Sequence, residues 1–187
     1  THHLVGGLGK DSRGGMEASV FFEWGGKNSN GSYGFTANRP TWASPIHQLM
    51  AANHVTIFFQ AHDHLYAREE LDGVVYQSLP NPADNTYTAF NADAYPAGTV
   101  FPNAGYVKVT VSPSAVKVDY IREWLAADEH PPAQVSGLNQ FSYTISAAAT
   151  APASPRRTSC SSSRTACRCG TRPRSATPPA ASGSTWW

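Results

Sequence analysis

From Ala147 to the carboxyl end the chain has no acidic residue and no aliphatic side chain larger than alanine, so a core must be built from residues 1 to 146. That last stretch, AAATAPASPRRTSCSSSRTACRCGTRPRSATPPAASGSTWW, offers too little apolar surface to offset its ordering entropy, and residues 147–187 are expected to be a disordered tail. Its Arg, Ser, Pro, Ala and Cys bias is what an out-of-frame reading of a GC-rich gene would give, which sequencing the gene would test. The preceding 146 residues are enough for one domain with its own core.

The same break divides the charge. Of the 14 basic residues, Arg156, Arg157, Arg164, Arg168, Arg172 and Arg174 lie in the tail; the other 8 stand against all 13 acids, which leaves the body at 8 − 13 = −5. The near-neutral whole therefore combines an acidic domain with a basic extension. Without interleaved aromatics or an amphipathic period, that extension reads as a solvated segment before it reads as a nucleic-acid binder. All three cysteines, Cys160, Cys167 and Cys169, also fall in it, and their spacing fits neither a disulfide framework nor a zinc ribbon. No apolar run is long enough to span a bilayer, so the chain reads as soluble.

Residues 5–41 are rich in glycine and asparagine and read as a long loop, which Phe21, Phe22, Trp24, Tyr33, Phe35 and Trp42 should pack down. Ser44-Pro45 predicts a helix start, with Ser44 as N-cap and Pro45 at the first helical position, running to about Asn53. The β-branched and aromatic run from His54 to Gln60 predicts a strand buried on both faces. Asp72-Gly73 predicts a hairpin turn into VVYQSL. Gly105 to Val111 and Ala115 to Ile121 alternate apolar and polar residues around Ser112-Pro113-Ser114, a second hairpin with one wet face, and Phe141 to Ser146 reads as a last strand.

The feature with most chemical content follows the buried strand: FFQAHDHLYAREE, Phe58 to Glu70, where His62 and His64 stand one residue apart. Neutral imidazole binds zinc, iron and manganese, but two histidines at i and i+2 can converge only where the backbone bends. An HxH pair alone more often marks a surface loop. Its place after a strand's carboxyl end is, however, where ligands gather in α/β sheets.

AHDHLYARE resembles the GHxH motif of the calcineurin-like metallophosphoesterases, and its continuation HxHxYxR is similar to that of the purple acid phosphatase branch. The opening THH resembles the preceding histidine motif of that superfamily, at a fitting distance of about sixty residues. The match covers residues 1–146 and implies an α/β fold, a layered α/β/β/α sandwich of which this would be an incomplete carboxyl-terminal part with mostly antiparallel strands. It implies metal-dependent hydrolysis of a small phosphate ester by a metal-bound hydroxide. By the same resemblance, His2, His62 and His64 are the catalytic metal ligands of a two-ion site taking iron, zinc or manganese, with His2 and His62 on one ion and His64 on the other. His3 would be a supporting residue. A secreted or periplasmic setting is compatible with this branch.

The departures are equally specific. The motifs DxH, GDxxx and GNHD or GNHE, which supply the carboxylates and the asparagine ligand, are absent, and Asp11, Glu17 and Glu23 lack the matching context. Ala61 replaces the first motif glycine. The chain alone should therefore hold metal weakly and be a poor catalyst. The competing expectation is a non-catalytic β-rich binding or accessory module with residual histidines. Asp63 divides between orienting a ligand imidazole and pointing away from both histidines; Tyr66 and Arg68 divide between substrate contact and packing. His47 and His54 read as surface or satisfied core residues, His130 before Pro131-Pro132 carries no signal, and Trp24, Tyr33 and Trp42 read as packing before substrate wall.

Overall fold

The computed structural model describes residues 1–2 and 14–147, within a unit spanning Thr1–Ala148; the expectations about His3, Asp11 and the tail lie outside the described residues. Two mostly antiparallel sheets and a few short helices give an α/β mixed class. No helix among the described residues is long and apolar enough to cross a membrane.

The first sheet contains β1 (Ile57–Gln60), β2 (Tyr66–Leu71), β3 (Val74–Ser78) and β4 (Thr99–Phe101), in the order β1-β3-β2-β4. Asp72 and Gly73 turn the chain between β2 and β3 with φ of 50° and 77°, the left-handed pair a two-residue hairpin needs. Strand β1 then pairs parallel to β3, with Ile57 opposite Val75 and Gln60 opposite Ser78. The second sheet is a meander of β5 (Gly105–Val111), β6 (Ala115–Arg122) and β7 (Asn139–Ser146).

Strand alternation assigns the two faces of the first sheet. Phe58, Val74, Tyr76 and Leu71 point to one side, where they pack with Ala18, Trp24, Ile46 and Met50. Those partners come from the glycine-rich amino-terminal segment and from α3 (Ile46–Ala52). Tyr66, Arg68 and Gln77 point to the other side, toward the second sheet. There Tyr66 stacks on Tyr120 at 4.8 Å, Arg68 lies 4.8 Å over the Tyr143 ring, and the Tyr143 hydroxyl donates to Gln77 Oε1 at 3.0 Å. The result is a helical layer, a mixed sheet and an antiparallel sheet, joined by an aromatic seam.

Several sequence expectations are corrected. Helix α3 begins one residue late: Pro45 is the N-cap, its ψ of 154° is extended, and its carbonyl receives the first helical bond from Leu49. Strand β1 starts at Ile57 rather than His54, which sits in a turn at φ 55°. It is only partly buried because it borders the sheet, where burial on both faces was expected. Strand β4, where the sequence pattern gives no strand, directly follows the polar stretch 81–98, and β7 begins two residues before Phe141. Within the glycine-rich region, the chain forms the one-turn helices α1 (Phe22–Gly25) and α2 (Phe35–Asn38). Phe35 is buried and Trp24 packs edge-on to Phe58, but Tyr33 and Trp42 stay exposed.

Candidate metal centre

Strand β1 ends at Gln60, and the next five residues turn the chain before β2 begins at Tyr66. His62 and His64 both adopt positive φ, 106° and 49°. Such backbone costs a non-glycine residue on the order of 1–3 kcal/mol and persists only where surroundings over-determine it. Ala61 is not among the positive-φ residues, so alanine at the motif's glycine position fits this turn without strain.

Asp63 is what holds the bend. It is buried, its carboxylate accepts from the Tyr95 hydroxyl at 2.8 Å and from Asn91 Nδ2 at 3.3 Å, and its carbonyl is 3.4 Å from the same amide. With this residue turned inward, its two histidine neighbours are presented elsewhere. Of the two orientations the sequence leaves open for Asp63, these bonds turn it inward, where it fixes the backbone between the histidines.

The amino terminus meets the turn from the edge of the sheet. The Thr1 ammonium donates to the Phe59 carbonyl at 3.0 Å, and the Ala61 amide donates to the His2 carbonyl at 3.2 Å. These bonds bring His2 Nε2 to 3.4 Å from His62 Nδ1, with the rings edge to face and their centroids 5.4 Å apart. Two nitrogens bound at the usual zinc–nitrogen length of about 2.0–2.1 Å and a tetrahedral angle stand about 3.4 Å apart. The pair therefore has the bite of two ligands of one ion, as well as the spacing of a weak imidazole–imidazole hydrogen bond.

His64 takes different partners. Its Nδ1 is 2.7 Å from Asp84 Oδ2 and its Nε2 is 3.3 Å from Asn81 Nδ2. The carboxylate fixes the tautomer with the proton on Nδ1, leaving the Nε2 lone pair to face outward, here toward the Asn81 amide. A carboxylate behind an imidazole is the usual support of a metal-ligating histidine. The Thr86 amide, first, and His64, second, hold the Asp84 carboxyl below its ordinary range, so it is an anion at neutral pH. Among the described residues, no three or more His, Cys, Asp or Glu side chains come together in a group that could hold a metal.

Asp84, Asn81, Asn91 and Tyr95 escape a reading by motif. For Asn81 and Asp84 the sequence signal is the turn chemistry of NPADN, where each caps the amide two residues on, Ala83 and Thr86. That signal predicts a loop, not which histidine the loop will touch. Tyr66 and Arg68 resolve as packing: Tyr66 is fully buried, and Arg68 pairs with Glu70 at 2.7 Å while covering Tyr143. His47 is a satisfied residue, bonded to the Tyr76 hydroxyl at 2.6 Å and to Asp72 at 3.0 Å, whereas His54 is exposed. Glu23 forms an ion pair with Arg39.

No protein-family model matches the chain, and no curated protein matches it.

Proposed function

We propose that residues 1–146 carry the histidine part of a metal-dependent phosphoesterase site, related to the purple acid phosphatase branch of the calcineurin-like metallophosphoesterases. The observation that carries this reading is the 3.4 Å approach of His2 Nε2 to His62 Nδ1, made by residues sixty positions apart and matching the bite of a first-row ion. His2 and His62 would hold one ion, and His64, set by Asp84, would offer Nε2 to a second. Iron, zinc or manganese held there supplies positive charge opposite the oxygens of a phosphate ester and makes water more acidic. The protein's own contribution is positional. The buried Asp63 fixes the turn, Asp84 keeps His64 in the tautomer whose unprotonated Nε2 faces the Asn81 amide, which a metal would displace, and the sheet edge delivers His2. Carboxylate ligands of the kind such a site needs are not gathered around these histidines among the described residues, so hydrolysis by the chain alone is expected to be weak.

Elemental analysis of the purified chain tests the reading. Sub-stoichiometric iron, zinc or manganese is expected as purified, rising on loading with excess metal and lost in the His62→Ala, His64→Ala double variant. Asp84→Ala is expected to weaken the affinity for the metal roughly 10–100-fold, the usual cost of losing a carboxylate behind a ligand histidine. Hydrolysis of p-nitrophenyl phosphate by the metal-loaded chain, abolished in the double variant, would extend the result to chemistry. Absence of metal from wild type after loading would sink the reading. It would then favour the second one, a non-catalytic β-rich binding module, for which the lack of a described three-ligand group speaks.

A further inference from the structure

A cavity of about 400 Å³ opens beside the histidine turn and shares no lining residue with it. Its walls are formed chiefly by Tyr87, Tyr106, Trp124 and Leu125, with Asn85 and Glu123 as its polar side chains. This size lies within the range of small-molecule sites, which combine apolar walls with a few placed polar groups.

The walls are fixed. The Arg122 guanidinium lies 4.6 Å from the Trp124 ring, and its own nitrogens donate to the carbonyls of Asn103 and Ala104 at 2.9 and 3.1 Å. The Tyr87 ring packs 4.4 Å from Trp124, and its hydroxyl is spent, donating to Asp128 at 2.8 Å and accepting from the Leu125 amide at 2.9 Å. By contrast, the side chains of Asn85 and Glu123 make no hydrogen bond or ion pair among the described residues, and the Trp124 indole N–H is buried without a partner. A rigid aromatic wall thus stands beside one uncommitted carboxylate and one uncommitted amide.

This combination selects among ligands. An anion would meet Glu123, and no lining side chain carries positive charge to offset it. A hexose carries a hydroxyl on most of its carbons and would find only two side chains ready to answer them. A flat heteroaromatic ring bearing an amino group fits both halves. Its faces stack on tyrosine and tryptophan, its amino N–H donates to a carboxylate, and an asparagine amide can read the adjoining donor and acceptor edge. We propose that this cavity binds an aminated nucleobase, adenine or cytosine, presented by a nucleoside. The site stands whether or not the histidines take metal. Because Asp84 bonds to His64 and the next residue, Asn85, lines the cavity, a metal-bearing histidine turn would make a nucleotide the natural substrate class.

The test is calorimetric titration of the full chain, kept in EDTA so that metal plays no part, with adenosine, cytidine, inosine, uridine and methyl glucoside. Saturable binding of adenosine or cytidine is expected, at least ten-fold tighter than that of the keto analogues inosine and uridine. Glu123→Gln should erase that preference, and Tyr106→Ala, at an exposed position of β5, should weaken binding roughly ten-fold. His62→Ala should leave adenosine affinity unchanged, which separates this site from the phosphoesterase reading. No saturable adenosine or cytidine binding at millimolar concentration, equal affinity for amino and keto bases, or tighter binding of the glucoside would overturn the proposal.

Discussion

Replacing Glu69 by glutamine is expected to raise the melting temperature at pH 8 and to flatten the loss of stability between roughly pH 4.5 and 8. Glu69 is 2% exposed, on the face of β2 that meets the amino-terminal segment. Its Oε2 accepts from the Met16 amide at 2.8 Å, while its Oε1 and the Oε2 of Glu17 are both buried without a hydrogen-bond donor among the described residues. Burial first, and the neighbouring Glu17 second, push the Glu69 carboxyl up from its ordinary 4.5 to about 8. The unfolded chain gives up this proton near pH 4.5, whereas the folded chain keeps it until about pH 8. Across that window the folded state holds more protons, so stability falls as pH rises. At about 1.4 kcal/mol per pKa unit, the loss amounts to several kcal/mol. Glutamine imitates the protonated acid, its carbonyl accepting from Met16 and its amide donating to Glu17. Melting curves from pH 4 to 9 decide the matter, and equal slopes for variant and wild type would refute it.

The second large effect is expected at the seam between the sheets. Tyr66 is stacked on Tyr120 at 4.8 Å and 15°, with Phe101 at 5.7 Å and Phe141 at 5.9 Å. Removing that ring empties a fully enclosed volume between two rigid layers, and Tyr66→Ala should cost about 3–5 kcal/mol, as large aromatic deletions in cores do. Burial pushes the Tyr66 phenol well above its ordinary pKa, so it is neutral throughout the accessible pH range. Tyr66→Phe keeps the ring and should cost far less. Urea unfolding of the three proteins measures both differences; a similar midpoint for Tyr66→Ala and wild type would show that the seam does not hold the sheets together.

What could be read in the sequence was local. Asp72-Gly73 and Ser112-Pro113-Ser114 specify their turns by residue type, and the alternation around them fixes strands whose partners are adjacent in the chain. The apolar run ending at Gln60 was identified as a strand, but its place at the border of the sheet depends on β3 and on Thr1–His2, which no local pattern reports. The same limit applies to the site. Convergence of His2 with His62 is implied by the family-like spacing of the two motifs, whereas the pairing of His64 with Asp84 joins a strand end to a loop twenty residues on through packing alone. Asp63 was visible as a residue between two histidines; that it turns inward to Tyr95 is decided by a buried partner whose own position is set by the segment leading to β4.

The strand order β1-β3-β2-β4 also sets a sequence of assembly. The β2–β3 hairpin closes through a two-residue turn and needs little chain entropy, so it can form early; β1 joins in parallel only once the far edge of β3 exists. Last to dock, and bonded on its outer side by Thr1 and His2 among the described residues, β1 belongs to the part of a protein that opens locally while the rest stays folded. Only Ala61 separates His62 from β1, so each such opening parts it from His2 while leaving His64 on its loop with Asp84. The two halves of the histidine cluster therefore exchange with solvent on different clocks, and the lifetime of a shared ligand is governed by the breathing of one strand.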